Sequence, residues 1–304
     1  MKPGRRAFLL PQLLSSSPWR QFCHRLSRVT GGRVEDDTAS ADGPGRGRLA
    51  VRREQDVYHA RALCAEFGVL PVPSGADETA LPPDRHWLRL DTSAFDAIEA
   101  VDAARGVLTV QAGCRAGAIR ERLAGLPWQW DEGGDDEPVD AWLARAGDWL
   151  PGRCADSGLL AADVLLASGQ FERLGPFGAD STESLRSAAG GRLVASLFQL
   201  AGERDAVAML AQPAWPARYR LDGLVPYAAP GAAAPVPNPG HVLLGSGGTL
   251  AWVARVQLQA RPAGAPPAQR GAPRPVRDSL RETPADRQDA MVKSLFDPAG
   301  LLPG

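Results

Sequence analysis

Cysteine and histidine are scarce in this sequence, neither sign of charge dominates, and there is no long apolar run. The four cysteines (Cys23, Cys64, Cys114 and Cys154) are far apart with no CxxC pair, and the four histidines (His24, His59, His86 and His241) are scattered. No zinc-ligand spacing results, and the thiols read as reduced and structural. With 34 basic and 35 acidic residues the net charge is −1, which excludes a general nucleic-acid surface, because such binding relies on a marked positive field. No segment approaches the ~20 apolar residues that span a bilayer, so no transmembrane segment is expected. GxSxG, HExxH, P-loop and GxGxxG motifs are all missing, so no catalytic constellation is legible. The acidic run at 131–137 lacks the spacing of a calcium loop; it reads as a solvated face, and no metal site is expected.

What is present is the composition of a globular protein, with 44% apolar and 23% charged residues. A chain of 304 residues accommodates one large domain or two small ones. Near the N-terminus, Arg5-Arg6-Ala7-Phe8-Leu9-Leu10 has the look of a twin-arginine export signal, but Pro11 interrupts the apolar run and Arg20, His24, Arg25 and Arg28 follow. The expected location is the cytoplasm, with export as the alternative. Residues 18–29 read as a basic amphipathic helix with Trp19, Phe22, Cys23 and Leu26 on one face, and 30–47 as a linker.

From there the pattern sharpens. Residues 49–51 read as a strand, 54–67 as a helix stopped by Gly68, and 69–72 as a second strand closing a β-α-β unit. Strands are expected at 87–90, 97–101 and 107–111, and helices at 116–123 and 139–146. Residues 159–167 and 170–174 read as paired strands, 192–200 as strand or helix, and 226–239 as a surface loop. Residues 241–244 and 251–260 flank Gly245-Ser246-Gly247-Gly248, with 251–260 a strand; 262–285, rich in Pro and Arg, reads as disordered. The fold class is therefore α+β in two lobes, at about 48–125 and 155–262 within a domain of 48–262. A basic helix and linker (1–47) precede it, and a tail (263–304) follows.

Two loops have the glycine content that lets backbone approach a ligand. Ser74-Gly75-Ala76-Asp77-Glu78-Thr79 follows a β-α-β strand, where consecutive amides can form an anion nest; a plain turn is the alternative, and Asp77 and Glu78 would have to face outward. Gly245 to Leu250 carries three glycines in four residues; a tight hairpin is the alternative.

The order of these pieces resembles the FAD-linked oxidase family, with its PCMH-type FAD-binding domain. The resemblance is carried by Leu88-Arg89-Leu90-Asp91-Thr92-Ser93, then Ile98, Val101-Asp102 and Val107-Leu108-Thr109-Val110-Gln111-Ala112-Gly113. It continues in Gly245 to Leu250 running to Pro262, and in Lys293 with the closing Phe296-Asp297-Pro298-Ala299-Gly300-Leu301-Leu302-Pro303-Gly304. Within the family the layout is most similar to the FAD-binding subunit of bacterial glycolate oxidase. The resemblance implies a two-lobed PCMH-type fold and non-covalent FAD. The first loop (Ser74, Gly75, Ala76, Asp77, Glu78, Thr79) would lie on the pyrophosphate, Gly113 and Cys114 near the flavin, and Gly248, Thr249, Leu250 and Trp252 on the adenine or ribose side. It departs from the family in its second flavin loop, where only Gly133-Gly134 and Leu150-Pro151-Gly152-Arg153 are on offer. It also departs in having about forty residues after Pro262, where the family places a substrate domain. A small-molecule substrate, such as a 2-hydroxy acid, would then be met together with a larger oxidoreductase subunit. The alternative is a flavin-domain remnant that serves as an interaction or scaffold subunit without turnover.

Overall fold

The computed structural model describes residues 17–38, 43–76, 81–178, 185–225, 236–272, 274 and 282–304. The twin-arginine segment therefore lies outside the described residues. Helix α1 (Pro18–Val29) forms as its spacing predicts: the Ser17 hydroxyl accepts from the Arg20 amide, and Trp19, Phe22 and Leu26 are buried with Cys23 half-buried beside them. The stretch read as a linker carries strand β1 (Val34–Asp36), which pairs antiparallel with β2 (Arg46–Ala50). Helix α2 (Glu54–Phe67) buries Val57, Ala60, Leu63 and Cys64 on one face and stops at Gly68, whose φ of +68° is the left-handed conformation glycine adopts at no cost. Strands β3 (Leu70–Pro73) and β4 (Trp87–Asp91) run parallel to β2, giving a four-stranded sheet in the order β1-β2-β4-β3.

The chain continues through β5 (Ile98–Asp102), β6 (Val107–Gln111), α3 (Ala116–Leu123), the two-residue β7 (Trp128–Gln129) and α4 (Val139–Arg145). Strands β8 (Leu159–Leu166) and β9 (Phe171–Leu174) follow, then helices α5 (Ala188–Ala201) and α6 (Arg204–Met209), β10 (Ala251–Gln259), β11 (Arg261–Pro262) and α7 (Pro284–Phe296). The second sheet is antiparallel in the order β5-β6-β10-β8-β9. Leu108, Val110, Ala162, Val164, Val256 and Leu258 pack with Leu193, Val194 and Leu197 of α5 in the larger core. Leu165, Trp252 and Ala254 of the same sheet join the core of the first. Polar bonds reinforce that joint: Arg255 pairs with Glu54 at 2.6 Å, Glu99 at 3.0 Å and Asp163 at 3.5 Å, and Arg61 Nε donates to the Ala167 carbonyl at 2.7 Å.

Several local expectations change. The strands read at 97–101 and 107–111 belong to the second sheet, because Gln111 pairs with Arg255, far along the chain. Residues 192–200 are helical, as part of α5. Residues 241–244 form no hairpin arm; the segment Pro239–Leu243 is a 3₁₀ turn capped by Asn238. Of the loop read at 226–239, residues 226–235 lie outside the described set, and Asn238 and Pro239 are buried. The first residues of the Pro/Arg-rich stretch are ordered: β11 pairs with β7, and the Arg270 guanidinium lies 3.6 Å over the Trp149 ring.

The acidic run is no bare solvated face. Arg261 pairs with Asp131, Arg270 with Glu132, Arg120 with Asp135, Arg115 with Asp136 and Arg145 with Glu137. Each such pair is worth at most ~1 kcal/mol where exposed, but together they tie the run to α3, α4 and the 261–270 strap. Among the described residues no group of three or more His, Cys, Asp or Glu is placed to hold a metal. No helix among them is long and apolar enough to cross a membrane.

Candidate functional site at the seam of the two sheets

Helix α4 is the centre on which the sequence-predicted segments meet. The turn after β3 is closed by a bond from the Ala76 amide to the Pro73 carbonyl, 3.0 Å. At Gly75 a Cβ would stand 2.8 Å from Ala141 Cα and 3.1 Å from Ala144 Cβ, so glycine is required by the close approach of α4. The Ser74 and Thr92 hydroxyls are 3.0 Å apart, and both donate to Asp140 Oδ2, Thr92 at 2.9 Å. Asp140 Oδ1 accepts from the Ala141 amide at 2.8 Å. Burial pushes the Asp140 carboxyl above the ordinary range, against the pull of these donors. Asp77, Glu78 and Thr79 lie outside the described residues.

The start of α4 hangs from the end of β6. The Asp140 amide donates to the Ala112 carbonyl and the Val139 amide to that of Cys114, both at 2.9 Å. Gly113 is packed so tightly that a Cβ would fall 1.9 Å from the Thr92 carbonyl oxygen. Cys114 is buried, and desolvation, then the charge of Asp96, pushes its thiol up to about 11.

The other end of α4 is capped by the glycine loop: Gly245 donates to the Leu143 carbonyl at 2.9 Å and Gly247 to that of Ala144 at 2.8 Å. At Gly248 a Cβ would meet Pro73 Cβ at 3.2 Å, so the two predicted loops touch. Thr249 Oγ1 donates to the Ser246 carbonyl at 2.7 Å and lies 2.9 Å from the Tyr219 hydroxyl. The side chain of Leu250 is buried in the larger core and that of Trp252 in the smaller, tilted against Phe95 with ring centroids 6.0 Å apart. The seam thus gathers Ser74, Gly75, Ala76, Gly113, Cys114, Gly248 and Thr249, while Leu250 and Trp252 turn into the two cores.

Lys293 staples the C-terminal segment to the glycine loop. Its ammonium donates to the carbonyls of Thr249 and Pro303, each at 2.7 Å, and to that of Leu302 at 3.3 Å, and pairs with Asp297 at 3.0 Å. Asp297 also accepts from the Leu301 and Leu302 amides at 2.8 Å. We expect Lys293→Met to cost ~2 kcal/mol, the value of hydrogen bonds to a charged group, and to open residues 297–304 to carboxypeptidase. Unchanged melting and an intact terminus would rule the staple out.

Behind the seam, the fully buried Arg220 donates to Asp222 through Nε at 2.8 Å, and through Nη1 to the Gly147 and Trp149 carbonyls at 2.6 and 2.8 Å. Asp222 takes the Gly152 amide at 2.8 Å and the Cys154 thiol at 3.5 Å. This pair shapes the turn that brings Gly147 against Gly245. Sequence reasoning missed Asp140, Tyr219, Arg220 and Asp222; Thr92 stood within a quoted motif but drew no role.

Burial raises all four cysteines, so none offers a thiolate at neutral pH. Burial lowers His241 to about 4, and its Nε2 sits 3.0 Å from the Leu159 carbonyl. Redox chemistry at this seam would have to be carried by a bound group.

No protein-family model matches the chain, and no curated protein matches it in sequence. Among solved structures, 4-ethylphenol oxidase from Gulosibacter chungangensis, in an isoeugenol complex, is similar over 82% of this chain and 43% of its own, with 14% identity and a TM-score of 0.50. Two crystal forms of alkyldihydroxyacetonephosphate synthase are similar over 72% of this chain and 32% and 33% of theirs, with 12% identity and TM-scores of 0.44 and 0.43, too low to carry weight. The chain spans less than half the length of each. The fold is α+β, and over the matched region it is shared with that oxidase.

Proposed function

We propose that this chain is the FAD-binding domain of an oxidoreductase subunit, holding FAD non-covalently at the seam. The carrying observation is the convergence, around α4, of 74–76, 113–114 and 245–249, three segments far apart in sequence. Each presents backbone and small side chains, as a dinucleotide diphosphate requires, and the shared fold supports the reading. The side chain of Asp140 opposes it, since a carboxylate already holds the Ser74 and Thr92 hydroxyls. Non-covalent attachment is favoured because Cys114, the cysteine at the seam, is buried and protonated. FAD would supply the hydride or electron chemistry; this chain's part is to bind and orient it.

Among the described residues the seam offers no acid–base pair, so the substrate site is assigned to a larger partner subunit, with a small 2-hydroxy acid of the glycolate kind as the substrate. The second reading, a non-catalytic remnant kept for its contacts, is favoured by Asp140 and by Gly75 and Gly245 packing on the protein itself. FAD extraction and thermal melting with added FAD separate the two. The oxidoreductase reading expects extractable FAD, or a rise in stability of ~2.7 kcal/mol at ~100 times Kd. Neither bound nor binding FAD would leave the remnant reading.

A further inference from the structure

We infer that Asp140 is an internal latch on the flavin's diphosphate anchor, holding the hydroxyls of Ser74 and Thr92 until a ligand displaces it. The inference rests on the FAD reading above and assigns a residue that neither the sequence pattern nor the shared fold singles out. Helix α4 otherwise buries apolar residues, namely Val139, Trp142, Leu143 and Ala144, and Asp140 is the buried carboxylate among them. An acid in such a place needs donors, and its side-chain partners among the described residues are two hydroxyls and backbone amides, with no cation.

Those hydroxyls belong to two segments that meet at the seam. Ser74 lies in the turn after β3, and Thr92 follows β4. A phosphate oxygen and a carboxylate oxygen are the same kind of acceptor for them, so ligand and latch compete for one pair of donors. Close by, Arg89 Nη1 donates to the Ser74 carbonyl at 3.4 Å, adding positive charge that favours either anion. Binding FAD requires the Asp140 carboxylate to turn away or to take up a proton, because two anions a few ångströms apart repel strongly in a poorly solvated site. The latch makes the empty anchor stable and lowers its affinity for the dinucleotide.

The test is an FAD titration, read by flavin fluorescence and calorimetry, on the wild type, Asp140→Asn and the double variant Asp140→Asn/Ser74→Ala. Asn keeps the shape and an acceptor oxygen without the charge. Asp140→Ser replaces it if the Asn protein does not fold. Asp140→Asn is expected to tighten FAD by ~10-fold or more, and the added Ser74→Ala to remove most of that gain. Equal affinity in wild type and Asp140→Asn would overturn the latch and leave the flavin reading standing. A gain that survives Ser74→Ala would overturn it too, since the hydroxyl would not be what the carboxylate withholds. Failure of every variant to bind FAD would overturn both.

Discussion

Asp222→Ala is expected to lower the melting temperature by roughly 10 °C. Arg220 and Asp222 both have fully buried side chains, and removing one partner of such a pair costs ~3–5 kcal/mol because the other charge is left uncompensated. For a chain of this size each kcal/mol is worth about 2–4 °C. The Gly152 amide and the Cys154 thiol lose their acceptor as well. Replacing both residues by apolar ones, Arg220→Met with Asp222→Leu, should restore little. Arg220 also serves the carbonyls of Gly147, Trp149 and Leu150, each of which would lose that donor. Calorimetry or circular dichroism melting reads both variants; a shift under about 3 °C for Asp222→Ala would show that the pair does not organise the turn.

Gly245→Ala carries the second large effect, ~2–5 kcal/mol together with loss of the FAD binding proposed above. At Gly245 φ is +70°, and a Cβ would stand 2.4 Å from Gly147 Cα. The left-handed backbone alone costs an alanine ~1–2 kcal/mol, and forcing a methyl against backbone adds ~1–3 kcal/mol. The strain cannot be relieved locally, since Gly245 is held to the Leu143 carbonyl. Gly125→Ala is the control, with φ +81° and no atom within 4 Å of the added Cβ. It should show the backbone cost only and bind FAD like the wild type. Equal melting of the two variants would mean that the loop accommodates the methyl and the seam is looser than described.

Much of the fold was legible because its signals are local. Residues 18–29, 54–67 and 116–123 coincide with helices whose apolar spacing and stops stand in the sequence, with Gly68 ending the second. Sheet membership was not, because β6 is held by pairing with β10 across more than a hundred residues. Helix α7 was hidden by the Pro/Arg-rich stretch before it, although the capping box of Thr283 and Asp286 and the spacing of Val292 and Phe296 were there to read. At the site, glycine-rich loops and the closing motif were visible. The internal occupant was not: Asp140 lies 66 residues from Ser74, and nothing in a short helix marks one carboxylate as turning inward. The acidic run likewise gave no sign of its five arginine partners, which come from residues 115 to 270.

The central claim, that FAD is held at the seam around α4, is tested most directly by amide hydrogen exchange with and without excess FAD. The account predicts added protection in peptides covering 74–76, 113–114 and 245–249, with little change in β1 or α6. FAD binding that protects other segments and leaves these three unchanged, or no binding at all, would contradict it.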